Sequence, residues 1–259
     1  MAQFWTLIGF ISMTAGALFF GYKASSANSE RWRILLMLNF FIATIASVLY
    51  LVILTGQGEG IYNDHNSHWV RYVTWFLSTP LLLLVLSHLG RTRLSTIGGL
   101  LGANALMLAT GFLADVYPKP HNITWYFISC GAYVGVACIL LSSYRAEAER
   151  NHPGKVGKDA FQRLLTVHLV LWTIYPIVWI LADTGIDAIS DGVEAMLYTI
   201  LDVTSKVGFG LLSISTMKKL EKFPAWAEKD EVVSSMPTPT THPDFGNPGL
   251  EQVSGRGTL

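Results

Sequence analysis

Charged residues are scarce in this sequence. Only 14% of its 259 residues are Asp, Glu, Lys or Arg, whereas 51% are hydrophobic. Because ordinary soluble domains contain about 25% charged residues, this composition argues against a typical soluble protein and indicates a membrane protein with the lipid bilayer as its partner. The formal net charge is +0, which gives no reason to expect a nucleic-acid partner.

Cysteine is also scarce, and an N-terminal basic segment is lacking. The two cysteines, Cys130 and Cys138, lie eight positions apart in one predicted helix. That spacing is about 12 Å along a helix axis, which is too far for a disulfide within the helix. No Lys or Arg occurs between Met1 and Gln3. We therefore expect no cleavable signal peptide, and the first apolar run is expected to act as the insertion signal.

Long apolar runs, by contrast, are abundant. Seven runs, each about 20 residues long and so able to cross a bilayer, are separated by short polar connectors. They cover residues 4–22, 33–55, 70–89, 94–114, 122–143, 161–182 and 193–216. The sequence thus predicts an all-α membrane protein, a seven-transmembrane-helix bundle within residues 1–222. Residues 223–259 are rich in Pro, Ser, Thr and Gly, which predicts a disordered tail.

The connectors alternate in charge along the chain. One set contains most of the basic residues, whereas the other is acidic or nearly neutral and includes Glu59 and Asp64. Because positively charged loops remain in the cytoplasm, the basic set predicts the cytoplasmic side of a multi-pass cell-membrane protein. The N-terminus is then extracellular and the tail cytoplasmic. The basic residues of this set are Lys23, Arg31, Arg33, Arg91, Arg93, Arg145, Arg150, Lys155, Lys158, Lys218, Lys219 and Lys222.

Two charged residues lie inside the last apolar run. Asp202 and Lys206 are four positions apart, so a helix places both on one face. A charge at membrane depth costs at least ~2.5–3.5 kcal/mol, so a functional role is the first interpretation and a structural ion pair the second. A lysine amine in a dry pocket is also suited to forming a Schiff base with an aldehyde.

The third run places Arg71, Thr74 and Ser78 on one helical face. Hydroxyl groups are common between packed membrane helices, and an arginine near a helix end often extends to the interface. A purely structural role therefore remains open for each of the three residues.

The sixth run places a histidine, a proline and three aromatic residues on one face. Such faces are more often packing surfaces than ligand sites. Next to an amine, however, large rigid rings suit a long, flat, conjugated ligand. The proline removes a backbone hydrogen bond inside the run and predicts a hinge. The residues of this face are His168, Trp172, Tyr175, Pro176 and Trp179.

Four segments resemble the microbial rhodopsins, and they occur in the order of that family: RYVTWFLSTPLLLL, GANALMLATG, LWTIYPIVW and DVTSKVGFG. The resemblance runs from residue 4 to residue 217. It implies all-trans retinal held on Lys206 as a protonated Schiff base, Asp202 as its counter-ion and Tyr50 as a hydrogen-bond partner of that acid. The implied pocket residues are Trp75, Trp125, Trp172, Tyr175, Trp179, Leu82, Met107, Gly111, Ser129 and Pro176.

The third helix departs from the proton pumps of this family. Outward proton pumps such as bacteriorhodopsin have an Asp at the position of Thr74 and a second acid at the position of Val85. A threonine is not a proton acceptor in this range, so the chain lacks both groups. Thr74, Ser78 and an apolar residue at 85 together resemble halorhodopsin, a light-driven chloride pump, with Val85 keeping the inner half of the pathway apolar.

The charges predicted in the interior also favour a bound anion. The Schiff base and Arg71 each contribute +1 and Asp202 contributes −1, so one positive charge is left uncompensated. We expect Thr74 and Ser78 to donate hydrogen bonds to chloride, which would follow the Schiff-base N–H inward after light absorption.

Two further residues are predicted on the ion pathway, His168 on the inner side and Glu194 on the outer side. A packing histidine and a solvated acid at a loop end are the alternative interpretations. The resemblance implies light-driven transport rather than enzyme catalysis, no metal site, and a homo-oligomer, because trimers are common in the family. Three other functions remain open: a sensory photoreceptor signalling through a partner protein, a light-gated anion channel, and a proton pump that uses Asp202 alone.

Overall fold

A computed structural model describes residues 1–58, 60–62, 65–151 and 154–222 of the chain. Within these residues, seven helices are long and apolar enough to cross a membrane, which confirms the predicted bundle. They are α1 (Ala2–Ser25), α2 (Glu30–Leu54), α3 (Trp69–Gly90), α4 (Leu94–Val116), α5 (His121–Asn151), α6 (Lys155–Leu181) and α7 (Asp191–Leu220). The predicted tail and the acidic residues Glu59 and Asp64 lie outside the described residues.

A short β-hairpin joins α2 to α3 and was not predicted. Strands β1 (Gly60–Tyr62) and β2 (His65–Ser67) pair antiparallel. The Ser67 hydroxyl donates a hydrogen bond to the buried Asp115 carboxylate near the end of α4, so the hairpin is attached to the bundle. The end of the bundle that carries this hairpin is called the hairpin end below. The opposite end, at Arg91 and Lys218, is called the basic end.

The connectors at the basic end are held by polar contacts with the helices. The Ser29 hydroxyl accepts a hydrogen bond from the Trp32 amide and caps the start of α2. Arg91 adopts a left-handed conformation with φ 50° and ends α3. The Glu147 carboxylate accepts the Arg93 amide at 3.0 Å and the Thr96 hydroxyl at 2.8 Å, which ties α5 to the start of α4.

Two of the spanning helices contain a π-helical turn. One lies at Leu140–Tyr144 in α5, and the other lies at Thr204–Gly208 in α7. Such turns add a residue to the helix and frequently mark functional positions. The turn in α7 contains Lys206.

The largest apolar core fills the half of the bundle towards the basic end. Side chains from α2, α3, α4, α5, α6 and α7 contribute to it. Val85 lies in this core and is fully buried, as expected for an apolar inner half. Other members are Leu35, Leu86, Leu89, Leu100, Leu164, Leu165, Phe209 and Met217.

Candidate functional site

Lys206 and Asp202 form an ion pair inside the bundle. Their side chains project from α7 with the i,i+4 spacing read from the sequence, and the Lys206 ammonium donates to Asp202 Oδ1. Lys206 is only 2% exposed and Asp202 5% exposed. Because both charges are removed from water, each requires the other, and the pair fixes where a ligand attached to the amine would begin.

Two tyrosines also donate hydrogen bonds to the Asp202 carboxylate. The Tyr50 hydroxyl donates to Oδ2 at 3.0 Å, and the Tyr175 hydroxyl donates to Oδ1 at 2.9 Å. The Tyr175 hydroxyl also lies 2.8 Å from Ser205 Oγ. A Cβ on Gly9 would overlap the Tyr50 ring, so glycine at position 9 lets α1 approach closely enough for Tyr50 to reach the acid.

A largely apolar cavity lies beside this network. It encloses about 790 Å³ of empty space, counted with the part that opens to the surface, and Ser205 next to Lys206 forms part of its wall. The predicted pocket residues in the wall are Trp75, Leu82, Met107, Gly111, Ser129, Trp172, Tyr175, Pro176 and Trp179.

One predicted pocket residue lies elsewhere. Trp125 is not among the residues that line the cavity, and its ring instead packs on Tyr117 at 5.9 Å between centroids. It lies one turn before Ser129, close to the hairpin-end terminus of α5. The next residue, Tyr126, lines the cavity, so Trp125 lies on a different side of α5, and its contact with the ligand stays a prediction.

Several wall residues were missed in the sequence. All except Cys130, which directly follows Ser129, lie three or four positions from a recognised wall residue, which is the spacing of a shared helical face. Extending each motif by one helical turn would have found those that share this spacing. The missed residues are Tyr72, Thr79, Leu108, Ala114 and Cys130.

The cavity wall is shaped for a ligand lying against it. The Trp179 indole N–H donates to the Tyr72 hydroxyl at 2.8 Å, so a polar atom of each ring is satisfied within the wall. A Cβ on Gly111 would come within 3.2 Å of Ser129 Oγ and narrow the space. A cavity with aromatic walls next to the residue before a buried lysine fits a long conjugated aldehyde, and these residues therefore fit retinal.

Arg71 is paired with Glu194 rather than with the Lys206 and Asp202 pair. Its guanidinium donates to Glu194 Oε1 at 2.6 Å and lies 3.9 Å above the Tyr198 ring. Glu194 is 3% exposed, so the interpretation as a solvated loop-end acid is wrong. Because Glu194 offsets the charge of Arg71, the single uncompensated positive charge inferred from the sequence is absent among the described residues.

The hydroxyls predicted to bind an anion differ in their availability. Thr74 Oγ1 donates to the Val70 carbonyl at 2.9 Å, within its own helix. Ser78 is fully buried, and its hydroxyl has no hydrogen-bond partner among the described residues. The Trp75 indole N–H is also unpartnered there, and the Trp75 ring lies 5.4 Å from the Tyr175 ring. This part of α3 therefore carries two buried donors without partners in the described part of the chain, and one of them belongs to a ring that contacts Tyr175.

His168 lies on the side of the cavity towards the basic end. It is 1% exposed, and its Nε2 atom has no hydrogen-bond partner in the described part of the chain. Its ring lies 4.3 Å from the Trp172 ring and 5.4 Å from the Phe209 ring, between centroids. It thus places an unsatisfied polar atom between the cavity wall and the apolar core.

Comparison with known proteins agrees with this geometry. Residues 1–220 match the family described as bacteriorhodopsin-like protein. The chain is 34% identical over 224 residues to bacteriorhodopsin of Haloterrigena sp., covering 84% of this chain and 89% of that protein. The crystal structure of cyanorhodopsin from Calothrix sp. shows 39% identity with a TM-score of 0.80, covering 83% of this chain and 94% of that one.

Another solved structure, thermophilic rhodopsin from Rubrobacter xylanophilus, shows 34% identity with a TM-score of 0.81. It covers 88% of this chain and all of that one (100%). The family match at residues 1–220 spans all seven helices. The chain therefore belongs to the bacteriorhodopsin-like family of microbial rhodopsins, which are light-driven ion pumps that bind retinal.

Proposed function

We propose that this rhodopsin is a light-driven inward chloride pump with all-trans retinal held on Lys206. The observation that carries the proposal is the environment of Lys206. Within the described residues, Asp202 is the carboxylate that contacts the amine, and donors already occupy both of its oxygens. Thr74 stands where the outward proton pumps have an acceptor acid, so Asp202, the counter-ion, is the one carboxylate among the described residues within hydrogen-bond reach of the nitrogen.

The donors on α3 support an anion as the transported species. Ser78 Oγ and Trp75 Nε1 are buried donors without partners, and a buried donor left unmatched is costly. A chloride held by Ser78 would remove part of this cost. Because Glu194 neutralises Arg71, no excess positive charge attracts the anion, and its binding depends on these hydrogen bonds and on the positive nitrogen of Lys206.

Residues around Lys206 define the direction in which the anion moves. Retinal, when bound, supplies light absorption and the change of shape that redirects the positive nitrogen on Lys206. Asp202 keeps the nitrogen electrostatically balanced at rest, while Ser78 holds the anion beside it. Val85 keeps the half of the pathway towards the basic end free of water and charge. The unpartnered Nε2 atom of His168 can form a hydrogen bond with the anion on its way to the basic end.

The distribution of basic residues predicts how the protein lies in the membrane. We infer that the basic end is cytoplasmic and the hairpin end extracellular, because the basic connectors all lie at one end of the bundle. We assign residues 1–222 to the rhodopsin domain and 223–259 to a cytoplasmic tail. We also propose a homo-oligomer, with a trimer as the first candidate, in keeping with the family resemblance.

A chloride titration of the visible spectrum tests the proposal. The retinal-reconstituted protein is titrated in a sulfate medium, and cells expressing it are then illuminated in chloride and in sulfate. We expect a saturable band shift with chloride, and a light-driven alkaline pH change in chloride that a protonophore enhances. A spectrum indifferent to chloride, together with no ion movement in light, would exclude the pump and favour the sensory photoreceptor.

Outward proton pumping is the second candidate, and the Arg71 and Glu194 pair is the observation that favours it. Glu194 matches an extracellular carboxylate that proton pumps use for proton release, and it is buried and charge-paired here. Light-driven acidification that persists in sulfate and disappears with a protonophore would support this candidate. A current that reverses with the chloride gradient would instead indicate a light-gated channel.

A further inference from the structure

Helix α5 holds α6 through two tyrosine hydroxyls that bind backbone carbonyls. The Tyr126 hydroxyl donates to the Pro176 carbonyl at 3.1 Å, and the Tyr133 hydroxyl donates to the Leu169 carbonyl at 3.2 Å. The Tyr133 hydroxyl also lies 2.7 Å from Thr173 Oγ1. Both tyrosines line the cavity, so one face of each ring contacts the ligand space while its hydroxyl holds the neighbouring helix.

One of these bonds lies at the proline of α6 and the other lies before it, and the proline interrupts the hydrogen bonding of this helix. Pro176 has no amide hydrogen, so the Trp172 carbonyl one turn earlier lacks its usual intrahelical donor. The Tyr126 bond is at this point, whereas the Tyr133 bond is on the segment between Lys155 and Pro176, which leads to the basic end. The two hydroxyls therefore fix the hinge and the arm of α6 separately.

The arm of α6 is the part of the bundle best placed to open an exit. Leu164, Leu165 and Phe209 are buried in the core between the cavity and the basic end, so an ion leaving that way meets no polar route at rest. Some segment must move for the ion to pass, and a helix segment before a proline bends at low cost. Only 11% of the residues in the most apolar window of the α5 span are buried inside the bundle, and the two tyrosine hydroxyls are among the contacts that join α5 to α6.

We infer that Tyr133 is a positioning residue that latches the arm of α6 to α5 in the resting protein and releases it during each light-driven cycle. The Thr173 hydroxyl completes the latch by sharing the Tyr133 hydroxyl with the Leu169 carbonyl. This inference rests on light-driven ion transport but not on the identity of the ion. A proton pump with the same latch would need the same release.

A distance measurement between the two helices tests the latch directly. Cys138 is a natural exposed cysteine on α5 towards the basic end, and Thr166 is exposed on the arm of α6. Spin labels at Cys138 and at Thr166→Cys, in a Cys130→Ala background, report the separation of the helices in darkness and in light. The retinal-bound protein is compared with its Tyr133→Phe variant, which removes the hydroxyl and keeps the ring.

We expect the labels to move apart in light. In Tyr133→Phe, the ratio of the open to the closed population is expected to rise roughly threefold, because that factor corresponds to the typical free energy of one hydrogen bond between membrane helices. The rate at which the resting visible band recovers after a flash is also expected to differ in the variant, because recovery follows the opening and closing of the arm of α6. Tyr22→Phe is the control, because Tyr22 is 70% exposed and remote from α6.

Each outcome separates the latch from the proposed function. An unchanged ratio in Tyr133→Phe, or an equal change in Tyr22→Phe, overturns the latch even if chloride is pumped. A threefold change in a protein that ignores chloride supports the latch and rejects the chloride pump. If Tyr133→Phe fails to take up retinal, Thr173→Val, which weakens the same contact from the α6 side, is expected to raise the ratio by a smaller factor, and no rise refutes the latch.

Discussion

Replacing Ser78 by alanine is the most direct perturbation of the proposed anion site. The Ser78 side chain is fully buried on α3, and its hydroxyl has no partner among the described residues, so the substitution breaks no protein hydrogen bond. It deletes one donor and leaves the charges of Lys206 and Asp202 in place. Any loss of chloride binding is therefore attributable to that donor.

The expected loss follows from the strength of a hydrogen bond to an ion. A bond to a charged group contributes about 1.5–3 kcal/mol, and each ~1.4 kcal/mol corresponds to a factor of ten in affinity. We expect the chloride Kd of Ser78→Ala to rise about 10- to 100-fold. Ser87→Ala is a matched control, because Ser87 is also buried on α3 with an unpartnered hydroxyl but lies nine residues further towards the basic end.

The assay is the same spectral titration, with the visible band recorded against chloride in a medium of constant ionic strength. Thermal denaturation in darkness checks that both variants fold as the parent does. A Kd that changes equally in Ser78→Ala and Ser87→Ala would refute the assignment of the donor. So would an unchanged Kd in Ser78→Ala alone.

Three further predictions concern the ion pairs and the close packing around the site. Lys206→Ala is expected to abolish the visible band after retinal addition, which absorption spectroscopy checks, because the amine that holds the ligand is gone. Gly9→Ala is expected to lower stability by about 1–3 kcal/mol, since its methyl would overlap the Tyr50 ring. Gly98→Ala, which faces open space within α4, is expected to leave the unfolding midpoint unchanged or to raise it, because alanine favours a helix more than glycine does. Glu194→Gln removes the anionic partner of Arg71, whose side chain is 17% exposed, and is expected to cost about 1–3 kcal/mol. An unfolding midpoint equal to the parent's would contradict the burial of this pair.

The helices and most of the cavity wall could be read from the sequence because both depend on local periodicity. A run of apolar residues specifies a spanning helix without knowledge of its neighbours. Wall residues such as Trp172 and Trp179 share one face of α6, so their side was predictable from spacing. For α5 the sequence indicated Trp125, whereas its neighbour Tyr126 lines the cavity, because the side of α5 that faces the cavity depends on how this helix packs against its neighbours.

The partner of each charge was decided only by tertiary structure. The sequence by itself determined that Asp202 and Lys206 meet, because four positions along a helix bring two side chains together whatever surrounds them. It did not determine that Arg71 meets Glu194, since these residues are 123 positions apart and belong to different helices. The pairing changes the charge of the interior from one excess positive charge to none. Local geometry therefore specified the amine and its acid, whereas the packing of α3 against α7 specified the electrostatic balance on which ion selectivity depends.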